Sequence, residues 1–119
     1  MTREFAISFA EEWIAAWNAH DLDRVLSHYT DDFCITTPMA VKLLPGSDGT
    51  VKGKAAVRAY WAIGLERIPD LEFRLLDLLT GINGLTVYYV NTATNKRSAE
   101  QLFFNEDLKV VRAAVHYSE

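Results

Sequence analysis

The chain has 119 residues, of which 50% are hydrophobic and 24% charged, and a formal net charge of −4. A chain of this length forms one domain, residues 1–119, able to bury roughly two thirds of its unfolded surface without staples. The acidic balance leaves no Lys/Arg stripe to neutralise phosphates, the lone cysteine excludes an internal disulfide, and no apolar run approaches membrane length.

The start, Met1-Thr2-Arg3-Glu4, opens directly into an amphipathic pattern and lacks the marks of a leader, so a cytoplasmic protein without nucleic-acid or membrane partners is expected. Thr2 is a candidate N-cap, and Phe5, Phe9, Trp13 and Trp17 recur every fourth residue, predicting a helix from about Arg3 to Ala19 with one deeply buried face. Asp21 can cap a short second helix in which Leu22, Val25, Leu26 and Tyr29 fall at i, i+3, i+4 and i+7. Thr30-Asp31-Asp32 then reads as a turn, and Phe33 to Thr37 as a strand ended by Pro38. Met39 to Lys52 carries turn residues, Pro45 to Gly49, inside strand-like sequence, and reads as a hairpin or a flap. Gly53 leads a third helix, with Val57, Tyr60, Trp61, Gly64, Leu65 and Ile68 at helical spacing until Pro69.

The remainder, Leu71 to Tyr117, is strand material. Phe73–Leu76, Leu85–Val90, Ala99–Phe104 and Val110–Val115 are rich in aromatic and β-branched residues, and short turns separate them. The expected fold class is α+β: a curved antiparallel sheet wrapped by three N-terminal helices, cone-shaped, with an internal pocket at its open end.

The stretches Trp13 to Asp23, Tyr29 to Phe33 followed by a proline after the first strand, Lys52 to Trp61, and Phe103 to Val111 resemble the nuclear transport factor 2-like superfamily over nearly the whole chain. The resemblance is strongest to its SnoaL-like and ketosteroid-isomerase-like branches, and it implies the cone fold, of the cystatin-like kind, with a pocket for a small hydrophobic molecule. It is specific for fold and weak for chemistry, because these branches share a scaffold and exchange their catalytic residues. Where the steroid-isomerase pattern has its aspartate base, this chain has Thr37, whose hydroxyl is no base near neutral pH. The oxyanion-hole tyrosine is matched by Trp13, and the second oxyanion-hole acid by Glu100. The His and Asp of the polyketide-cyclase branch fall on Ala113-Ala114-Val115. No useful steroid isomerisation is therefore expected.

Glu100 is the candidate catalytic residue. It alternates with Leu102 and Phe104, so a strand facing these two into the cone brings the carboxyl with them, and burial there would raise its pKa. Trp13, Trp17, Thr37, Tyr60, Trp61, Leu102, Phe104, Ala113 and Val115 are the candidate ligand-binding residues, although helical spacing explains the aromatic ones equally well as core. His20 and Asp21 belong to the helix–helix turn, His28 lies off the apolar stripe and is expected to be exposed, and His116 faces away if Ala113 and Val115 face in. The three histidines have no ligand spacing with acids or Cys34, so neither a metal nor a cofactor is expected. Cys34 reads as a packed residue. Apolar side chains on both sheet faces call for a second cover, and a homodimer through the outer face is the expected assembly. Three functions stay open: an isomerase- or cyclase-like enzyme acting on a carbonyl or polyketide-like compound, a non-catalytic binding protein for such a molecule, and a dimeric association module.

Overall fold

The computed structural model describes residues 1–119. Helix α1 spans Arg3–Asn18, and the Thr2 hydroxyl accepts from the Phe5 N–H as predicted for an N-cap. It ends in a Schellman turn: the Asp21 N–H reaches the Ala16 carbonyl and the His20 N–H the Trp17 carbonyl, with His20 itself left-handed at φ 56°. Asn18 clasps this end to the sheet, donating from Nδ2 to the Phe73 carbonyl at 2.9 Å and accepting from the Phe73 N–H at 2.7 Å. The His20 ring reaches the Leu71 carbonyl, 2.8 Å away, from the same turn.

Helix α2 is shorter than the pattern suggests, Leu22–Leu26, capped by Asp21. Tyr29 opens strand β1, Tyr29–Thr36, instead of closing that helix. The periodicity misleads because a residue seven beyond Leu22 also begins an alternation, in which Tyr29, Phe33 and Ile35 all point inward and are buried. An irregularity in the pairing between Tyr29 and Cys34 carries Thr30-Asp31-Asp32, so the expected turn is a bulged stretch of strand.

The expected hairpin or flap at Met39–Lys52 is a helix followed by a strand: α3, Pro38–Leu43, and β2, Thr50–Lys52, which pairs antiparallel with β1. Pro38 both ends β1 and occupies the first turn of α3, where its missing N–H costs nothing. Thr37 caps that helix, accepting from the Met39 N–H at 3.3 Å. Helix α4, Lys54–Arg67, follows Gly53, which at φ 90° takes a conformation few other residues adopt.

Strands β3 (Phe73–Thr80), β4 (Gly84–Asn91), β5 (Lys96–Phe104) and β6 (Val110–Tyr117) form the meander that the turn chemistry predicts. The six strands make one sheet in the order β2-β1-β6-β5-β4-β3. All neighbours are antiparallel except β1 and β6, which pair parallel and are joined through all the elements between them. A single cluster of 27 buried residues fills the space between helices and sheet, and no helix is long and apolar enough to cross a membrane.

Candidate functional site

The register of β5 decides the site. Glu100 lies opposite Val87 of β4 on one side and Val115 of β6 on the other, so the carboxyl projects from between two buried valines on the helix-covered face. Only 4% of the residue is exposed. The Tyr89 hydroxyl donates to Glu100 Oε1 at 2.9 Å, whereas Oε2 takes no protein partner and is not among the sealed, unsatisfied atoms. Burial disfavours the charged form and pushes the Glu100 pKa up from 4.5 to about 7, against the smaller opposing effect of the Tyr89 hydrogen bond. No Lys or Arg forms an ion pair with it.

Glu100 opens into a cavity of about 340 Å³, within the usual size range for small-molecule sites. Twenty residues line it, thirteen of them hydrophobic, drawn from α1, β1, α3, α4 and strands β3 to β6. Trp17, Tyr60, Trp61 and Val115, expected at the site, line this cavity together with Glu100. Trp13, Thr37, Leu102, Phe104 and Ala113 do not line it. Leu102 and Phe104 do share the inward face with Glu100, but the edge of the Phe9 ring meets Phe104 at 5.0 Å and Phe5 meets it at 5.6 Å, so α1 closes that end of the sheet as solid core. Ala113 pairs with Leu102 and Ile35 and is fully buried in the same layer.

Two tryptophans of α1 differ in one respect that matters for chemistry. Trp13 donates from Nε1 to the Tyr29 hydroxyl at 2.9 Å, so its N–H is already used. Trp17, packed against Trp61 and Phe73, is 6% exposed and its Nε1 has no partner, the sole buried side-chain polar atom left unsatisfied. A buried donor without an acceptor costs about 1–3 kcal/mol, and this one is sealed within the packing behind the cavity wall.

The Thr37 hydroxyl is likewise committed. It caps α3 and donates to the Tyr117 hydroxyl at 3.2 Å. Tyr60, also near Thr37, is pushed up to about 12, first by burial, and Tyr117 is pushed up for the same reason. These phenols therefore stay protonated and act as hydrogen-bonding groups rather than bases.

Tyr117, Lys96 and Ser98 are lining residues that the sequence pattern does not single out, and Tyr89, which the sequence leaves level with Tyr88, lines the cavity as well. The signal was available in part: Lys96, Ser98 and Glu100 alternate along one strand, and Tyr117 alternates with Val115. Tyr89 rather than Tyr88 faces in, because it pairs with Ser98, while Tyr88 accepts from Arg97 on the outer side. Met39 and Leu43 could not be found without recognising α3. His116 is exposed, while His28 is half-buried rather than exposed, its ring against Phe9 and its Nε2 3.4 Å from Glu12.

A helix-covered curved sheet enclosing an apolar cavity with a single buried acid is the arrangement of a small-molecule pocket on the cone scaffold. The chain belongs to the SnoaL-like domain family, whose model matches residues 10–117. It is similar to a SnoaL-like protein of unknown function from Burkholderia thailandensis E264, with 41% identity, a TM-score of 0.93, and coverage of 100% of this chain and 99% of that one. Two more distant structures share the fold: AclR from Streptomyces galilaeus, a proposed hydroxylase (18% identity, TM-score 0.75, covering 98% and 81%), and TerC crystallised with polyporic acid (14% identity, TM-score 0.76, covering 95% and 91%). A structure from Methylobium petroleophilum, described as having a cystatin-like fold, aligns with a TM-score of 0.78 at 13% identity over 100% of this chain and 79% of that one. No curated protein matches the chain by sequence.

The raised Glu100 pKa has a definite consequence for stability. Between pH 4.5 and about 7 the unfolded chain ionises this carboxyl while the folded protein keeps it protonated, so the folded state binds more protons and loses stability as pH rises. The contribution is full below pH 4.5 and gone above about 7, a span of about 3 kcal/mol. Glu100→Gln should remove this pH dependence and leave the variant as stable as the wild type or more so at pH 8, measured by urea denaturation from pH 4 to 8. An identical pH slope in both proteins would contradict the assignment.

Proposed function

We propose that the protein binds a small, largely apolar carbonyl compound in this cavity and moves a proton to or from it through Glu100. The observation that supports this reading is a carboxyl with one free oxygen and a pKa near 7 on the wall of an apolar cavity. A group titrating near the working pH can both accept and return a proton. As a carboxylate, Glu100 takes the proton from the carbon next to the carbonyl. The C–H electron pair moves through to the carbonyl oxygen, leaving an enolate in the cavity. Returning the proton at another carbon completes an isomerisation; attack of the enolate carbon on a second carbonyl of the same molecule, whose oxygen takes the proton back from Glu100, completes a cyclisation. TerC, crystallised with polyporic acid, provides a precedent on this fold for a small-molecule complex. The committed hydroxyl of Thr37 favours a second reading, a non-catalytic binding protein, since no further base stands at the position where the isomerase branch carries one.

We further assign a homodimer through the outward face of β3 to β6, where Leu79, Tyr88 and Phe103 lie on a sheet whose helices cover only the other side. The half-buried thiol of Cys34 suits a reducing compartment, in keeping with a cytoplasmic protein.

Two measurements test these assignments. 2-Acetylnaphthalene should quench the cavity tryptophans, and the wild type should accelerate exchange of its methyl protons in D₂O by about a hundredfold or more, levelling off above pH 7. Glu100→Gln should bind it and show no acceleration; binding without acceleration by the wild type would leave the binding protein in place of the enzyme. Sedimentation at micromolar concentration should give twice the chain mass, from an interface of about 800 Å² per partner, and a clean monomer would refute the dimer.

A further inference from the structure

Two cations line the cavity, Arg67 and Lys96, and both are exposed. Neither side chain makes an ion pair or a hydrogen bond, unlike Arg24, Lys54 and Arg58, which each meet a carboxylate elsewhere on the surface. Arg67 ends α4, and Lys96 begins β5, so the two stand where these elements reach the outside. Glu100 is the only acid among the lining residues, and it lies buried. The cavity thus carries positive charge at its exposed part and a neutral-poised acid in its depth.

Strand geometry gives the separation. Lys96, Ser98 and Glu100 alternate on the inward side of β5, and four residues of extended chain span about 13 Å. Ser98, 4% exposed, sits midway. A ligand anion placed beside Glu100 would meet its carboxylate across a desolvated space, whereas one placed at Lys96 and Arg67 meets only opposite charge and water.

Resting on the proposed pocket function, we infer that the ligand is an elongated aromatic carboxylic acid: its carboxylate is held at the mouth by Arg67 and Lys96, and a carbonyl at its other end lies beside Glu100 in the depth of the cavity. The acidic chain, with its net charge of −4, would repel such an anion in general, so the two rim cations also set which end enters last.

The test compares 4′-acetylbiphenyl-4-carboxylate with its methyl ester, which keeps the shape and the ketone but removes the charge, by titration of tryptophan fluorescence and by calorimetry. The acid should bind about tenfold tighter than the ester at low salt, and the preference should shrink at 0.5 M NaCl, where exposed charges are screened. Arg67→Ala and Lys96→Ala should each weaken the acid by about fivefold and leave the ester unchanged, since both side chains are exposed and hold nothing else in the fold. Equal affinity for acid and ester, or equal losses for both in the variants, would overturn the anionic end while leaving the pocket reading intact. Binding of neither compound would overturn both.

Discussion

A carboxyl set between two valines on the covered face of a sheet must either be compensated or be left neutral. In this protein the compensation is partial: one phenol donates to one oxygen, no cation approaches, and the other oxygen faces the cavity. Desolvation therefore dominates and lifts the carboxyl towards neutrality, and the proposed chemistry depends on that balance. A nearby Arg or Lys would have returned Glu100 to the ordinary carboxylate range and made it a structural ion. A second phenol on Oε2 would have closed the site.

The scaffold keeps this balance by spending most other polar groups on itself. Trp13 and Tyr29 satisfy one another, and the Thr37 hydroxyl caps a helix and bonds Tyr117. The aromatic side chains of α1, β1, β3 and α4 interlock, with Phe73 and Tyr89 4.4 Å apart and Trp17 and Trp61 4.8 Å apart. Against that background of satisfied groups, the indole N–H of Trp17 is an exception, sealed in the packing of a side chain that lines the cavity. The Asn18 clasp and the Schellman turn at the end of α1 fix the direction in which Trp17 enters the cavity, linking helix termination to the shape of the site.

Much of this was legible in the residues, for reasons that differ by element. The i, i+4 aromatics of α1 and the apolar runs of β4 to β6 are long enough that periodicity and tertiary burial agree, and the inward face of Glu100 follows from alternation once β5 is recognised. Strand β1 reads short because Tyr29 satisfies a helical and a strand period at once. Helix α3 escapes the pattern because a six-residue helix carries less than two turns, and its start, Thr37-Pro38, reads only as the end of a strand. The site inherited those gaps. Leu102, Phe104 and Ala113 share the expected face, yet alternation says which side of the sheet a residue takes and not where along the strand the helices leave room.

The central claim is that Glu100 sits desolvated and close to neutral in an open cavity. Carbon-13 NMR titration of the Glu100 side-chain carboxyl, in protein labelled at glutamate and assigned with Glu100→Gln, measures this directly. The midpoint should fall at about 7, well above the ordinary value of 4.5. A midpoint at or below 4.5 would place the carboxyl in water or in an ion pair, and would contradict both the site and the function built on it.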